Sequence, residues 1–147
     1  MPKPITPLVG CDIFILNDRA EVLLIQRSDN LLWALPGGCH DMNETPKLCA
    51  ERECFEETGY RVEVTSLLGV WSSNSYEWVH YPHKDNQFCH LVFNAKMIGG
   101  SMKTSPESLQ VGWFSEADLP PLSDGFEFRI KFGFAKATKP QLPPHFE

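Results

Sequence analysis

Three glutamates constrain this chain more than any other feature. Glu53, Glu56 and Glu57 stand at i, i+3 and i+4 inside GCHDMNETPKLCAERECFEETGY, residues 38–60. The stretch carries its own helix punctuation. Thr45 suits an N-cap, Pro46 a first helical position and Gly59 a helix end. A helix from about Thr45 to Thr58 gathers the three carboxylates on one face. Like charges at that spacing oppose a helix by roughly 0.2–0.5 kcal/mol per pair. A cation over the face removes that opposition; without one, such a face is ordinarily a solvated surface. Leu48 and Phe55, a heptad apart on the opposite side, are expected to pack on a sheet. Cys49 and Ala50 flank the acidic face and are small enough to admit a ligand or another backbone. Glu51 points away from it and has no evident role.

The rest of the chain reads as strands around that helix. A strand over 7–16 turns at Asn17-Asp18 into a second over 21–26, as a hairpin. Trp33 is expected to cover the core. Further strands are expected over 61–71, 88–98 and 109–114. Ser115 can cap a short helix, and 124–134 has helical apolar spacing, with Phe128, Ile130 and Phe132 available for packing. The proline-rich stretch 136–147 reads as a loosely ordered tail. At 147 residues and 42% hydrophobic, residues 1–147 fit a single domain of mixed α/β type with a true core.

A net charge of −6 argues against nucleic acid backbones and anionic membranes as partners. A small anionic substrate stays compatible, because a divalent metal inverts the local field. No apolar run approaches the roughly 20 residues that span a bilayer, and the first residues have no secretory core. The five cysteines, Cys11, Cys39, Cys49, Cys54 and Cys89, are odd in number and form no Cys-x-x-Cys pair. They read as reduced thiols, mostly buried, in a cytoplasmic protein, with a catalytic cysteine as a minor alternative.

The spacing around the glutamates resembles the Nudix box. Gly38 is followed by five residues, Glu44, seven residues, then Arg52-Glu53-Cys54-Phe55-Glu56-Glu57-Thr58-Gly59-Tyr60. Cys54 and Tyr60 stand where aliphatic residues are usual, and neither change removes a ligand. The two strands before the box, and Trp113-Phe114 through Leu119-Pro120, look like the family too. The resemblance implies an α/β/α sandwich, with a mixed sheet and the box as loop–helix–loop. It implies hydrolysis, with Mg²⁺ or Mn²⁺, of a phosphoanhydride bond in a nucleoside diphosphate linked to another group. ADP-ribose or a nucleotide sugar is the first expectation. The alternatives are a nucleoside triphosphate pyrophosphohydrolase of the MutT type and a non-catalytic nucleotide-binding module. The expected partner is a small nucleotide rather than nucleic acid or membrane, and a homodimer is left open.

A pyrophosphate repels an attacking water, so its hydrolysis needs a cation, and hard cations take carboxylate oxygens. Glu53 and Glu57 are the expected inner ligands, with Glu56 as ligand or water-positioner. By the resemblance, the Gly37 carbonyl adds an oxygen and Arg52 orients a box glutamate. Glu44 pairs with Arg52 or favours the helix N-terminus. Gly38 is expected to let the backbone turn tightly. A further acid outside the box often completes the site in this family. Glu107, six residues before Trp113, is the candidate, with Glu77 and Asp85 as rivals. The aromatic loop 72–87 is too long to be idle; Tyr76, Trp78, His80 and Tyr81 are expected to contact substrate, with His83 as a further phosphate candidate.

Overall fold

The computed structural model describes residues 6–75 and 87–147. Strands β1 (Leu8–Phe14), β2 (Val22–Arg27), β3 (Trp33–Ala34) and β4 (Gly37–Cys39) precede helix α1 (Pro46–Thr58). Strands β5 (Tyr60–Ser72), β6 (Phe88–Gly100) and β7 (Ser108–Phe114) follow, then helix α2 (Phe126–Thr138). One sheet runs β4-β1-β6-β5 and is mixed: β1 is parallel to β6, and the other pairs are antiparallel. The second sheet runs β3-β2-β7 and is antiparallel.

The expected hairpin of the first two strands forms only at its turn. The Asn17 side chain accepts from the backbone N–H groups of Arg19 and Glu21, each at 3.0 Å, and Leu16 bridges Val22. Beyond that point the strands part into different sheets. The reason is that β1 spends both edges, on β4 and on β6, so β2 must find other partners.

Alternation along β1 sends side chains into two cores. Cys11, Ile13 and Ile15 meet Cys49, Ala50 and Cys54 of α1. Phe14 joins Phe126, Ile130 and Phe134 of α2, with Val22 and Leu24 of β2. The sheets thus lie between the two helices in an α/β/α sandwich. The core-facing side of α1 differs from expectation. Leu48 is 53% exposed, and Phe55 lies under the cations of Arg61 and Lys103, 4.2 and 4.5 Å from its ring centre. Small residues do the packing instead, and their size lets α1 settle close to the sheet.

The caps of α1 are as the sequence suggests. Leu48 N–H donates to Thr45 Oγ1 at 3.1 Å, and Gly59 closes the helix with φ +80°. Thr45→Ala is expected to cost about 1 kcal/mol of stability; a denaturant midpoint unchanged from the parent would contradict that role.

Helix α2 buries Ile130 and sets Phe132 edge-on to Trp71 at 5.8 Å, but leaves Phe128 74% exposed. Nor is the stretch beyond it the loose tail expected from its prolines. The chain returns along β5: Val70 N–H donates to the His145 carbonyl at 2.8 Å, and His145 N–H to the Leu68 carbonyl at 3.1 Å. The His145 ring stacks on Trp71, 4.8 Å between centres. A stacked aromatic pair and two ladder bonds outweigh the local preference for disorder.

Candidate active site

Helix α1 aims Glu53 and Glu57 at strand β4. The Gly37 N–H donates to Glu57 Oε1 at 2.7 Å. A side chain on Gly38 would come within 2.5 Å of the Glu53 carboxyl carbon. Both glycines therefore serve close approach. They lie in extended strand, without the left-handed φ of Gly59, so Gly38 does not supply the tight turn expected of it. A third carboxylate arrives from the far sheet. The Ser108 hydroxyl donates to the Glu57 backbone carbonyl, which fastens the start of β7 to the end of α1 and brings its neighbour Glu107 in.

Glu53, Glu57 and Glu107 each offer an oxygen within 4.8 Å of the others. Their crowding is costly. Burial pushes Glu57 well above the ordinary carboxylate range, helped by the charges of Glu53, Glu107 and Asp12 and opposed by the Gly37 N–H. Burial raises Glu53 as well, against the pull of Arg52. Three converging oxygens, two of them on carboxylates whose charged forms burial disfavours, fit a hard divalent cation, which prefers oxygen ligands.

Arg52 braces the arrangement. It grips Glu44 with Nε and Nη2, at 3.0 and 2.8 Å, and reaches Glu53 with Nη1 at 3.0 Å. The same Nη1 meets Glu56 at 3.2 Å, and Nη2 meets Asp41 at 3.2 Å. The Arg52 guanidinium holds the Glu44 carboxyl down to about 2. Glu56 is 54% exposed on this rim and stands outside the group of three. Glu51 also has work: its carboxylate accepts the Val64 N–H at 2.8 Å, tying α1 to β5.

The carboxylates open into a cleft of about 390 Å³, whose lining includes Arg27, Asp29, Leu35 and Phe126. Three polar residues at its inner end were not foreseen from the sequence. Asp12 and His90 are both buried and line the cleft, and Arg129 of α2 is fully buried behind them. Burial lowers the His90 pKa and so favours the neutral ring. The only signal for Asp12 was a carboxylate inside the apolar run LVGCDIFIL, and for His90 a histidine inside FCHLVF. The expected substrate contacts Tyr76, Trp78, His80 and Tyr81, with His83, Glu77 and Asp85, lie outside the described residues. All five cysteines are free. Burial pushes Cys11 up to about 11 and Cys54 to about 12, which makes them packing groups and poor nucleophiles.

A family model described as NUDIX domain matches residues 6–133. A MutT-like protein of Streptomyces ambofaciens is 39% identical over 105 residues, covering 71% of this chain and 62% of its own length. A putative 8-oxo-dGTP diphosphatase of Bacillus subtilis is 33% identical, covering 76% of this chain and 68% of its own. An ADP-ribose pyrophosphatase of Methanocaldococcus jannaschii is 35% identical, covering 85% and 72%. The chain thus spans less than two thirds of the first of these relatives. Among solved structures, a NUDIX hydrolase from Nitrosomonas europaea superposes with a TM-score of 0.80 at 26% identity, covering 98% of this chain and 79% of that one. With the box intact on α1 and a family match over most of its length, the chain belongs to the Nudix hydrolase family.

Proposed function

We propose that this chain hydrolyses a phosphoanhydride bond in a nucleoside diphosphate linked to a second group, using Mg²⁺ or Mn²⁺. The convergence of Glu53, Glu57 and Glu107 within 4.8 Å carries the proposal. These three would hold the cation, with the Gly37 carbonyl as a further oxygen. When bound, a divalent cation supplies charge neutralisation at the diphosphate and polarises the bond under attack. The chain's own groups set the geometry. The Gly37 N–H fixes one oxygen of Glu57, and Arg52 keeps Glu53 aimed at the cleft. Glu56, on the open rim, would orient the attacking water. The described cleft, of about 390 Å³, suits a small nucleotide better than a polymer.

Purified protein incubated with Mg²⁺ or Mn²⁺ tests this against ADP-ribose, nucleotide sugars, dinucleotides and nucleoside triphosphates. Release of a nucleoside monophosphate together with a phosphorylated second group is expected, abolished by EDTA. Pyrophosphate from triphosphates alone would instead establish the MutT-type reaction, a reading supported by the relative named as a putative 8-oxo-dGTP diphosphatase. Tight binding with no turnover in either metal would leave only a nucleotide-binding module.

A further inference from the structure

We infer that Asp12 and His90 form a subsite for the vicinal diol of a sugar joined to the diphosphate. The inference rests on the phosphoanhydride being held at the three carboxylates, and it extends that reading to the neighbouring group.

Two observations point to a ligand here. The first is unmet hydrogen-bonding capacity. The Asp12 side chain is 7% exposed and that of His90 4%. Yet Asp12 Oδ2 and both ring nitrogens of His90 have no hydrogen-bond partner among the described residues. The two groups are 3.6 Å apart, from Nδ1 to Oδ2, beyond a working hydrogen bond. Buried polar atoms left in that state are costly unless something fills them. Arg129, 3.9 Å from Asp12 Oδ2, offsets the carboxylate's charge, so the pair presents hydrogen-bonding groups more than net charge.

The second observation is the room made for them. His90 lies over Gly10, where any side chain would meet Nδ1 at 2.8 Å. Asp12 lies over Gly37, where any side chain would meet Oδ1 at 2.1 Å. Both glycines also line the cleft. Two glycines on adjacent strands thus seat the two side chains in the cleft's inner end, beside the strand that fixes Glu57.

The chemistry selects the occupant. Asp12 as a carboxylate can only accept, whereas neutral His90 offers one acceptor and one donor. A keto edge has nothing to give Asp12. A hydroxyl can donate to Oδ2, and its neighbour can donate to or accept from the imidazole. Adjacent ring hydroxyls send near-parallel hydrogen bonds toward partners spaced as Oδ2 and Nδ1 are. Phe88, stacked on His90 with ring centres 5.3 Å apart, and Phe126 give the apolar surface on which a sugar ring can rest. A deoxynucleoside triphosphate has no such diol and cannot use the site.

The test compares ADP-ribose, which carries vicinal diols, with dATP, which carries none. Binding is read by calorimetry in Ca²⁺ and turnover in Mg²⁺, on the whole chain. The parent is expected to favour ADP-ribose. Asp12→Asn is expected to raise Kd and KM for ADP-ribose about tenfold or more. The loss should exceed severalfold any change in Mn²⁺ binding by EPR or in the dATP constants, because the charge that Asp12 sets on Glu57 acts on both nucleotides alike and the diol contact on one. His90→Gln carries the same expectation from the other strand. Unchanged ADP-ribose constants in folded variants, or an equal loss for both nucleotides, would overturn the subsite. If neither variant folds, the parent decides: dATP bound as tightly as ADP-ribose overturns it. Absent turnover with a diol-dependent Kd would instead sink the hydrolase proposal and leave the subsite standing.

Discussion

Glu57→Gln is expected to lower turnover by about a thousandfold or more, some 4 kcal/mol of transition-state stabilisation, with the fold retained. Glutamine keeps the shape and can still accept the Gly37 N–H, but it removes the charge that a cation needs. The same substitution should change how stability responds to pH. In the folded, metal-free protein the Glu57 carboxyl ionises well above its usual 4.5, because burial and three neighbouring carboxylates oppose the charge. The unfolded chain therefore loses that proton first as pH rises. Stability from this group is full below about pH 4.5 and declines as pH climbs toward the raised value. Melting curves in EDTA across that window should fall less steeply for Glu57→Gln than for the parent, with Glu53 leaving a residual slope of the same sign. Near-normal turnover, or identical slopes, would remove Glu57 from the centre of the site.

Gly37→Ala is expected to be strongly destabilising. Its new methyl would lie 2.4 Å from the Cys11 carbonyl and 2.7 Å from the Asp12 Cα. Those atoms are backbone in the central strand of a packed sheet, so neither can swing away. Overpacking of this kind costs about 1–3 kcal/mol, and here the upper end applies, a drop of roughly 5–10 °C in melting midpoint. Activity should fall with it, because any shift of β4 draws the Gly37 N–H from Glu57. A midpoint within about 1 °C of the parent would show that β4 yields more easily than its contacts imply.

What could be read from the chain was what is written locally. The caps at Thr45 and Gly59, the spacing of Arg52, Glu53 and Glu57, and the strand periods are short-range patterns, and the molecule keeps them. Glu107 could be placed only by resemblance, since its approach depends on Ser108 reaching across sheets to the end of α1. Asp12 and His90 were hidden for a different reason. Each sits singly in an apolar strand, and only the parallel pairing of β1 with β6 sets His90 opposite Gly10. That pairing joins segments some 80 residues apart, and no local period announces it. The hairpin and the loose tail failed alike: both judged neighbours in sequence, where the competition was for strand edges.

The returning segment at His145 has a bearing on how copies of the molecule meet. Strand β5 is the outer member of its sheet, and an outer strand exposes backbone groups that invite another chain to add on. Around Gly69 that invitation is already taken, by the chain's own His145. The occupant is also polar at its rim, where the His145 ring meets the Glu147 carboxylate at 3.0 Å. The segment expected to be loosely ordered thus covers the outer edge of β5 around Gly69, where a second chain would otherwise add on.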